Sequence, residues 1–413
     1  MAHGMLWASF LRRCQSGREL TMSRVQRIEQ VAQGYVDANT FSGIEWQVES
    51  KGELLSIGAV GRADAAAKTS IPAGALYRIF SMTKPIISVL ALQLVELGRL
   101  RLYDMVAQYD SRFAQMMVLT SDGAIVPAQR PITIEDLLTH RAGFTYEFIH
   151  GCHIAQYYRE AEITADGSCS LDEMMDRLSN LPLAFQPGSQ WRYSVSIDVL
   201  AHVIEQAMGQ DLADLLEEHI LGPLGMSDTA FGVADDSRDR LMPMYGTGLL
   251  DGLPPLAVGP QELDRLDVDR LNPIDRAKTF RRGGLGLFST LQDYSAFARM
   301  LITGKSQDGE VLVSRKMLEM LRTNRVPESQ MPLAIGPSVF AGYGWSLVGR
   351  VQLDSGRATS LTSVGEFGWA GAATTYFWVD PLEDVFGVIM TQYMGATLPL
   401  ADDLRSAAYQ ALA

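Results

Sequence analysis

The stretch FSMTKPIISVLALQLVELG, residues 80–98, decides the fold because a polar pair precedes a long apolar run. Its apolar residues leave almost no polar face at helical spacing, so the sequence predicts a helix that is buried on all sides. Pro85 suits the first turn of this helix, and Gly98 suits its end. Ser81 and Lys84 therefore lie one turn apart at the start of a buried helix.

This pair has a chemical interpretation and a structural one. A lysine in apolar surroundings loses the hydration of its cation, which lowers its pKa. A neutral Lys84 amine beside the Ser81 hydroxyl can then act as a general base, while the helix N-terminus favours negative charge nearby. In the structural alternative Ser81 caps the helix and Lys84 reaches solvent. The spacing by itself decides little, but an all-round buried helix favours the chemical interpretation.

The segment QPGSQWRYSVS, residues 186–196, places Tyr193 in a turn just before a second apolar helix. A nearby ammonium would lower the pKa of this tyrosine by favouring the phenolate, which makes Tyr193 a candidate base. The structural alternative is a tyrosine that packs on the start of the helix.

Three glycines recur in SVGEFGWAGAATTYFW, residues 363–378, directly before a predicted strand. Glycine permits close backbone approach, so an exposed strand edge here can offer an amide to an oxyanion. A glycine-rich bulge between strands is the structural alternative.

Strand and helix patterns divide the chain into three predicted parts. A hairpin that turns at Lys51-Gly52 lies at one end, and strand-like runs after residue 283, among them residues 342–350, lie at the other, with helices between them. This pattern predicts an α/β fold of the α+β type with a cleft at the domain junction. The predicted parts are an N-terminal extension (1–22), a discontinuous α/β domain (23–105 and 276–413) and a helical domain (106–275).

Composition excludes several classes of protein. The chain has 413 residues and a net charge of −13 without a basic face, which argues against nucleic acid as a partner. No apolar run approaches the ~20 residues of a membrane span, and no small-residue cleavage site follows the apolar start of residues 1–22. We therefore expect a cytoplasmic protein with a disordered or upstream extension and no membrane partner. A homo-oligomer remains possible.

The three cysteines, Cys14, Cys152 and Cys169, are too few and too scattered for a disulfide framework. His150, Cys152 and His153 occur in the tetrapeptide HGCH, but a fourth ligand at zinc-like spacing is missing. We interpret this segment as a polar loop, and we predict neither a metal nor a cofactor.

Together these segments resemble the serine β-lactamase and penicillin-binding-protein superfamily, whose nucleophile motif is S-x-x-K. Within its class C β-lactamase-like branch, the chain is most similar to the family VIII carboxylesterases. The resemblance covers about residues 24–411 and rests on motifs in the same order: SMTKPI, LLTHRAGF, QPGSQWRYS, LGPLGMSDTAF, GGLGLFST and GWAGAA.

The resemblance implies a role for each matched residue. Ser81 would be the acylated nucleophile, and Lys84 and Tyr193 would share its proton, with Tyr193 passing it to the leaving alkoxide. The backbone amides of Ser81 and Ala372 would form the oxyanion hole. The implied fold is an antiparallel sheet flanked by helices plus a mostly helical domain, with the site between them.

Two departures from the class C pattern favour an esterase. Val195 stands where class C β-lactamases carry the asparagine of Tyr-x-Asn, and Trp369 stands where they carry the lysine of Lys-Thr-Gly. Losing that lysine removes a cation suited to a β-lactam carboxylate, whereas a tryptophan offers apolar area and one N–H donor. Family VIII esterases show this Trp-x-Gly form, so Trp369 and Gly371 are predicted to bind substrate.

The predicted function is therefore a serine carboxylesterase that hydrolyses short- to medium-chain acyl esters, with a small-molecule ester as its substrate. The alternatives are a class C-like β-lactamase or D-amino-acid peptidase, an acyltransferase, and a non-catalytic binding protein on the same scaffold. The sequence contains no G-x-S-x-G, which excludes a nucleophile elbow of the α/β-hydrolase type. His140, in LLTHRAG, is interpreted as part of a structural turn.

Overall fold

The structure is a computed structural model that describes residues 24–149, 151–164, 167, 169–246, 263–276, 281–336, 338–395 and 398–412. The predicted extension, residues 1–22, lies outside the described residues. The helices are α1 (Gln26–Asp37), α2 (Thr83–Glu96), α3 (Ile134–Leu138), α4 (Ala155–Glu160), α5 (Leu171–Ser179), α6 (Ser196–Met208), α7 (Leu212–Leu216), α8 (Gly222–Leu224), α9 (Leu291–Thr303), α10 (Arg315–Leu321) and α11 (Leu400–Ala411). Within the described part of the chain, no helix is both long and apolar enough to cross a membrane.

The described residues also form sixteen β-strands. The strands are β1 (Gly43–Ser50), β2 (Glu53–Gly61), β3 (Tyr77–Arg78), β4 (Met117–Leu119), β5 (Ile125–Pro127), β6 (Ala230–Phe231), β7 (Tyr245–Gly246), β8 (Leu287–Ser289), β9 (Leu333–Ile335), β10 (Ser338–Phe340), β11 (Tyr343–Trp345), β12 (Arg350–Gln352), β13 (Phe367–Ala370), β14 (Tyr376–Asp380), β15 (Val385–Met390) and β16 (Tyr393–Met394).

A seven-stranded sheet in the order β11-β12-β13-β14-β15-β1-β2 forms the centre of the fold, and every neighbouring pair is antiparallel. Its strands come from both ends of the chain, and the hairpin between β1 and β2 turns at Lys51 and Gly52, both with positive φ. The predicted antiparallel sheet flanked by helices is confirmed. The domain boundaries given above stay a prediction.

Alternating side chains cover the two faces of this sheet. Ile44, Trp46 and Val48 of β1 pack with α1 and α11 in one hydrophobic cluster. Phe377 and Val379 of β14 point to the opposite face and belong to the main core, against which α9 packs. Successive side chains of a strand point to opposite faces of the sheet. Apolar side chains therefore cover both faces, and helices bury each of them.

Helix α2 runs through the main core. Every residue from Thr83 to Leu94 is buried, which confirms the predicted all-round burial. The helix packs against α6, α7 and α10. Because this helix is held on all sides, the residues at its N-terminus have fixed positions.

Two local predictions differ from the structure. The run 342–350, predicted as one strand, forms two strands, β11 and β12, because the Ser346 hydroxyl accepts the Val348 and Gly349 amides and reverses the chain. The segment around Gly368, predicted to offer an exposed strand edge with a glycine-rich bulge as the alternative, contains strand β13, which pairs with β12 and β14 on its two sides. At Gly368 a Cβ would lie 2.1 Å from the Phe377 carbonyl oxygen, so glycine here permits close pairing.

Candidate active site

Ser81 lies in a single 3₁₀ turn, Phe80–Met82, that continues directly into α2. Phe80 is buried and has a φ of 42°, a left-handed conformation that costs energy in a residue with a Cβ. The surrounding core holds this conformation, and it presents the next residue, Ser81, half-buried at the wall of a cavity. Strained backbone of this kind is typical of functional sites.

Lys84 meets Ser81 across one helical turn, as the sequence predicts. Its Nζ atom lies 3.2 Å from Ser81 Oγ and donates a hydrogen bond of 2.6 Å to the Gly284 carbonyl oxygen. The rings of Tyr146 and Tyr193 flank the amine at 5.3 and 4.8 Å from their centroids. Lys84 is 2% exposed, so the alternative of a lysine that reaches solvent is wrong.

Burial changes the protonation of this lysine. Desolvation is the main cause that lowers the pKa of Lys84; the carboxylate of Asp198 opposes it and the positive charge of Arg282 adds to it, with a net fall from 10.5 to about 7. An amine with a pKa near neutrality is largely available as a base at physiological pH. The geometry and the pKa together suit Lys84 to act as a base towards Ser81.

Tyr193 joins the same group through its hydroxyl. It is hydrogen-bonded to Ser81, and it accepts a bond of 3.0 Å from Trp369 Nε1. These bonds lower the pKa of Tyr193, but burial outweighs them and raises it well above 10. The expectation that a nearby ammonium favours the phenolate is therefore wrong, because the phenol is fully buried. A protonated Tyr193 is suited to donating a proton.

The predicted oxyanion residue Ala372 lies in the turn between β13 and β14 and lines the same cavity as Ser81. Gly371 brings this turn close to the segment that precedes Ser81, since a Cβ there would lie 2.4 Å from the carbonyl oxygen of Ile79. Ala372 follows the strand and is not part of an exposed edge, which corrects that detail of the sequence interpretation. Its assignment to the oxyanion hole stays a prediction.

Trp369 lines the cavity, but its N–H group is already used. Nε1 donates to the Tyr193 hydroxyl, and the indole packs edge-on against Trp345 with ring centroids 4.5 Å apart. The sequence interpretation assigned this donor to the substrate, whereas the structure directs it to the tyrosine. Trp369 therefore offers apolar area to a ligand and orients Tyr193.

Sequence reasoning missed the charged pair Asp198 and Arg282, which lies behind Lys84. Asp198 of α6 is fully buried, accepts a hydrogen bond of 3.0 Å from the Gly284 amide, and lies 3.8 Å from Arg282. At Gly284 a Cβ would lie 2.4 Å from Asp198 Oδ2, so only glycine allows this approach. Since the Gly284 carbonyl accepts a hydrogen bond from Lys84, Asp198 positions the Lys84 amine through one residue. The sequence signal that could have identified Asp198 is an acidic residue inside an otherwise apolar helix.

His140 lies behind the site and does not line the cavity. It is 1% exposed, its Nδ1 atom lies 3.1 Å from Ser194 Oγ, and its ring centroid lies 4.8 Å from that of Tyr193. Burial and the charge of Lys84 hold the pKa of His140 well below 6.5, so the ring is neutral. The imidazole supports the aromatic wall behind Tyr193, in line with its structural interpretation.

The cavity in front of Ser81 has a volume of about 380 Å³, enough for a small organic molecule. Its walls are mainly aromatic and aliphatic. They include Phe148, Leu285, Ile335, Phe340 and Trp369.

In the tetrapeptide HGCH, Gly151, Cys152 and His153 do not line this cavity, and His150 is outside the described residues. The Cys152 thiol accepts a contact of 2.9 Å from Arg192 Nη1, and His153 Nε2 lies 2.7 Å from the Leu119 carbonyl oxygen. Cys152 and Cys169 are buried, and neither forms a disulfide within the described residues. Among the residues that the structure describes, no three His, Cys, Asp or Glu side chains are arranged as metal ligands.

Known proteins with similar sequences include members with named hydrolytic activity. Protein Rv1367c of Mycobacterium tuberculosis is 32% identical over 86% of this chain and 87% of its own length. Esterase EstB of Burkholderia gladioli is 29% identical over 88% of this chain and 89% of its own length. Both alignments span nearly the whole of each protein.

A solved structure is also similar. EstCE1, described as a hydrolase with promiscuous acyltransferase activity, superposes with a TM-score of 0.78 at 25% identity, over 94% of this chain and 98% of its own. The family model named Beta-lactamase matches residues 28–412. The resemblance inferred from the S-x-x-K pair and the ordered motifs is thereby confirmed: the chain belongs to the beta-lactamase family, a group of serine hydrolases that includes the penicillin-binding proteins and the esterases related to them.

Proposed function

We propose that this protein is a carboxylesterase that hydrolyses short- to medium-chain acyl esters through an acyl-enzyme on Ser81. One observation carries the proposal: a buried amine with a pKa of about 7 lies 3.2 Å from the hydroxyl of Ser81, at the wall of an apolar cavity. This is the arrangement that activates a weak nucleophile at neutral pH.

In the acylation step, neutral Lys84 removes the proton of Ser81 as Oγ attacks the ester carbonyl carbon. Negative charge develops on the carbonyl oxygen, and the backbone amides of Ser81 and Ala372 are proposed to stabilise it. When the bond from carbon to the alkoxy oxygen breaks, Tyr193 donates its proton to the leaving alkoxide. The proton held by Lys84 then returns to Tyr193, so the step conserves protons.

Deacylation repeats the same chemistry with water in place of the alcohol. Once the alcohol leaves, a water molecule attacks the acyl carbon, and the amine of Lys84 and the phenol of Tyr193 again transfer its proton. The bond from the acyl carbon to Ser81 Oγ breaks, and Oγ regains a proton. The carboxylic acid product and free Ser81 result.

The choice of ester over β-lactam rests on the sheet side of the cavity. Trp369 stands in place of the lysine of class C β-lactamases, and its indole adds apolar surface next to Ser81. The similarity to esterase EstB supports the same choice.

The test is turnover of 4-nitrophenyl and ethyl esters with acyl chains of two to eight carbons. We expect Ser81→Ala to lower kcat by at least roughly 10³-fold and to abolish the acyl adduct that mass spectrometry detects on the Ser81 peptide. The control is Ser88→Ala, a buried serine two turns along the same helix, which should keep activity. Equal turnover by wild type and Ser81→Ala would reject the proposal.

Acyl transfer to an alcohol is the second candidate function. The observation that favours it is the similarity to EstCE1, whose description includes promiscuous acyltransferase activity, together with the apolar lining of this cavity. Product analysis with added alcohol separates the two functions, because a transferase makes new ester faster than free acid. Faster turnover of nitrocefin or of D-Ala-D-Ala peptides than of esters would instead favour the β-lactamase or peptidase alternative.

A further inference from the structure

Arg350 is the one charged side chain among the described residues that line the cavity in front of Ser81. It begins strand β12 and lies directly opposite Gly368 of β13, the residue before Trp369. A cation therefore borders an otherwise apolar site, on a strand of the central sheet. The sequence interpretation assigned it no role.

Three contacts hold the Arg350 side chain in place. Its guanidinium carbon lies 4.1 Å from the ring centroid of Tyr343 and 5.2 Å from that of Phe340, and Nη2 donates a hydrogen bond of 3.1 Å to the Tyr376 hydroxyl. None of these partners carries a negative charge. Within the described ranges, no carboxylate lies within ion-pair distance of Arg350.

One carboxylate, that of Glu366, lies near Arg350, because Arg350 and Arg405 both donate to Tyr376 and Arg405 also binds Glu366. It accepts a hydrogen bond of 2.5 Å from Arg405 and one of 2.7 Å from the Tyr409 hydroxyl. Arg405 also donates to Tyr376 at 3.2 Å. The charge of Glu366 is therefore paired with Arg405 behind the cavity wall, and Arg350 keeps N–H groups available for a ligand.

We propose that Arg350 binds a carboxylate of the substrate, so that the preferred esters carry a negative charge on the acyl or the alcohol part. The inference rests on the proposed ester hydrolysis at Ser81 and specifies its substrate class. A guanidinium binds a carboxylate through two parallel hydrogen bonds, and the aromatic packing reduces the entropy lost on binding. Monoesters of dicarboxylic acids have this chemistry.

The geometry explains how one cavity serves both ends of such a molecule. The ester group reacts at Ser81, while the methylene chain lies against apolar residues such as Leu285 and Phe340, which line the cavity with Arg350. In class C β-lactamases the lysine of Lys-Thr-Gly suits a carboxylate. Here the cation comes from the neighbouring strand, and Trp369 occupies the lysine position.

The experiment compares esters of equal chain length with and without a terminal charge. Mono-4-nitrophenyl adipate and suberate are compared with 4-nitrophenyl hexanoate and octanoate, and 4-acetoxybenzoate with phenyl acetate places the charge on the alcohol part. We expect Arg350→Gln to lower kcat/KM roughly 10- to 100-fold for the anionic esters on one of these two sides, and less than about 3-fold for neutral esters. Arg350→Lys should restore part of the loss.

The matched control is Arg357→Gln, which removes the same charge from an exposed residue paired with Asp354 at 3.4 Å. It should leave the preference for anionic esters unchanged. An equal loss on neutral and anionic esters in Arg350→Gln, or a wild type without preference for either anionic series, would overturn the inference.

Failure of the proposed function has a separate signature, which is the absence of any turnover that depends on Ser81. Binding then gives an independent readout. Calorimetry on the Ser81→Ala protein with monomethyl adipate should show binding at least about 10-fold tighter than with methyl hexanoate, and Arg350→Gln in that background should abolish the difference. Equal binding of the two esters would overturn the inference whether or not the protein is an esterase.

Discussion

The helical side and the sheet side of the cavity contribute different chemistry. The helical side carries the groups proposed to exchange protons, with Ser81 just before α2, Lys84 in its first turn and Tyr193 just before α6. The sheet side supplies Trp369, the turn at Ala372 and the guanidinium of Arg350, none of which is expected to transfer a proton. Burial explains the difference. Desolvation shifts the pKa values of titratable groups on the helical side, whereas the residues on the sheet side are expected to orient and bind the substrate.

The largest expected effect comes from removing the base on the helical side. Lys84→Met should lower kcat for 4-nitrophenyl butyrate by roughly 10²- to 10⁴-fold, because Ser81 loses the group that accepts its proton. Lys84→Arg should fail to restore activity, since a guanidinium stays protonated. Circular dichroism of both variants checks that the fold is kept. Activity of Lys84→Met within about 10-fold of wild type would assign the base to another residue.

The pH dependence tests the same base through Asp198. Because burial lowers the pKa of Lys84 to about 7, kcat/KM should rise as pH increases through 7 and level off above it, where the amine is neutral. The carboxylate of Asp198 raises this pKa, so Asp198→Asn should move the rise to lower pH and reduce the plateau roughly 10-fold. A pH profile measured from 5 to 9 gives both quantities.

The control for this prediction is Asp214→Asn, which removes a carboxylate from the exposed surface of α7 and should leave the profile unchanged. A reduced plateau in Asp198→Asn without any shift of the rise would show that Asp198 acts on the fold and not on Lys84.

An effect of similar size, but limited to one kind of ester, is expected on the sheet side. Trp369→Phe removes the N–H that Tyr193 accepts at 3.0 Å, so the phenol should protonate the leaving group less well. We expect kcat for ethyl butyrate to fall by about 10-fold and kcat for 4-nitrophenyl butyrate by less, because nitrophenolate leaves without a proton. The ratio of the two rates is the measurement.

Trp345→Phe is the matched control for Trp369→Phe. The Trp345 indole packs against Trp369 but donates its N–H to the Leu138 carbonyl oxygen at 3.2 Å. It should change both rates equally. An equal fall of both rates in Trp369→Phe as well would assign this tryptophan to packing alone.

Local patterns predicted those parts of the site that are close in sequence. The spacing of Ser81 and Lys84 on an apolar helix was sufficient to predict their contact, because i and i+3 residues share a face wherever the helix is packed. The all-round apolar pattern also predicted the burial that lowers the pKa of Lys84. Tyr193 was a candidate from its own segment, but its placement at Ser81, like that of Ala372, came from motif resemblance, since no local rule brings residues so distant along the chain to one hydroxyl.

Other features depended on contacts between distant segments. The direction of the Tyr193 pKa was predicted wrongly because the local argument counted a nearby charge and not the loss of water around the phenol. Asp198 was missed because its partner Gly284 lies 86 residues further along the chain. The run 342–350 was predicted as one strand because alternation does not reveal a hydrogen-bonded reversal inside it.

The sequence by itself determined the contact of Ser81 with Lys84, the buried helix that follows Ser81 and the family to which the chain belongs. The contact and the helix follow from residue types at short spacing, whose local geometry is the same wherever the segment lies in the fold. The family follows from the order of motifs along the chain. Only the tertiary structure decided which protonation state burial favours for Lys84 and Tyr193, where the Trp369 N–H is directed and which cation borders the cavity. Desolvation and hydrogen-bond geometry depend on all the neighbours of a group, and most of those neighbours are distant in the chain.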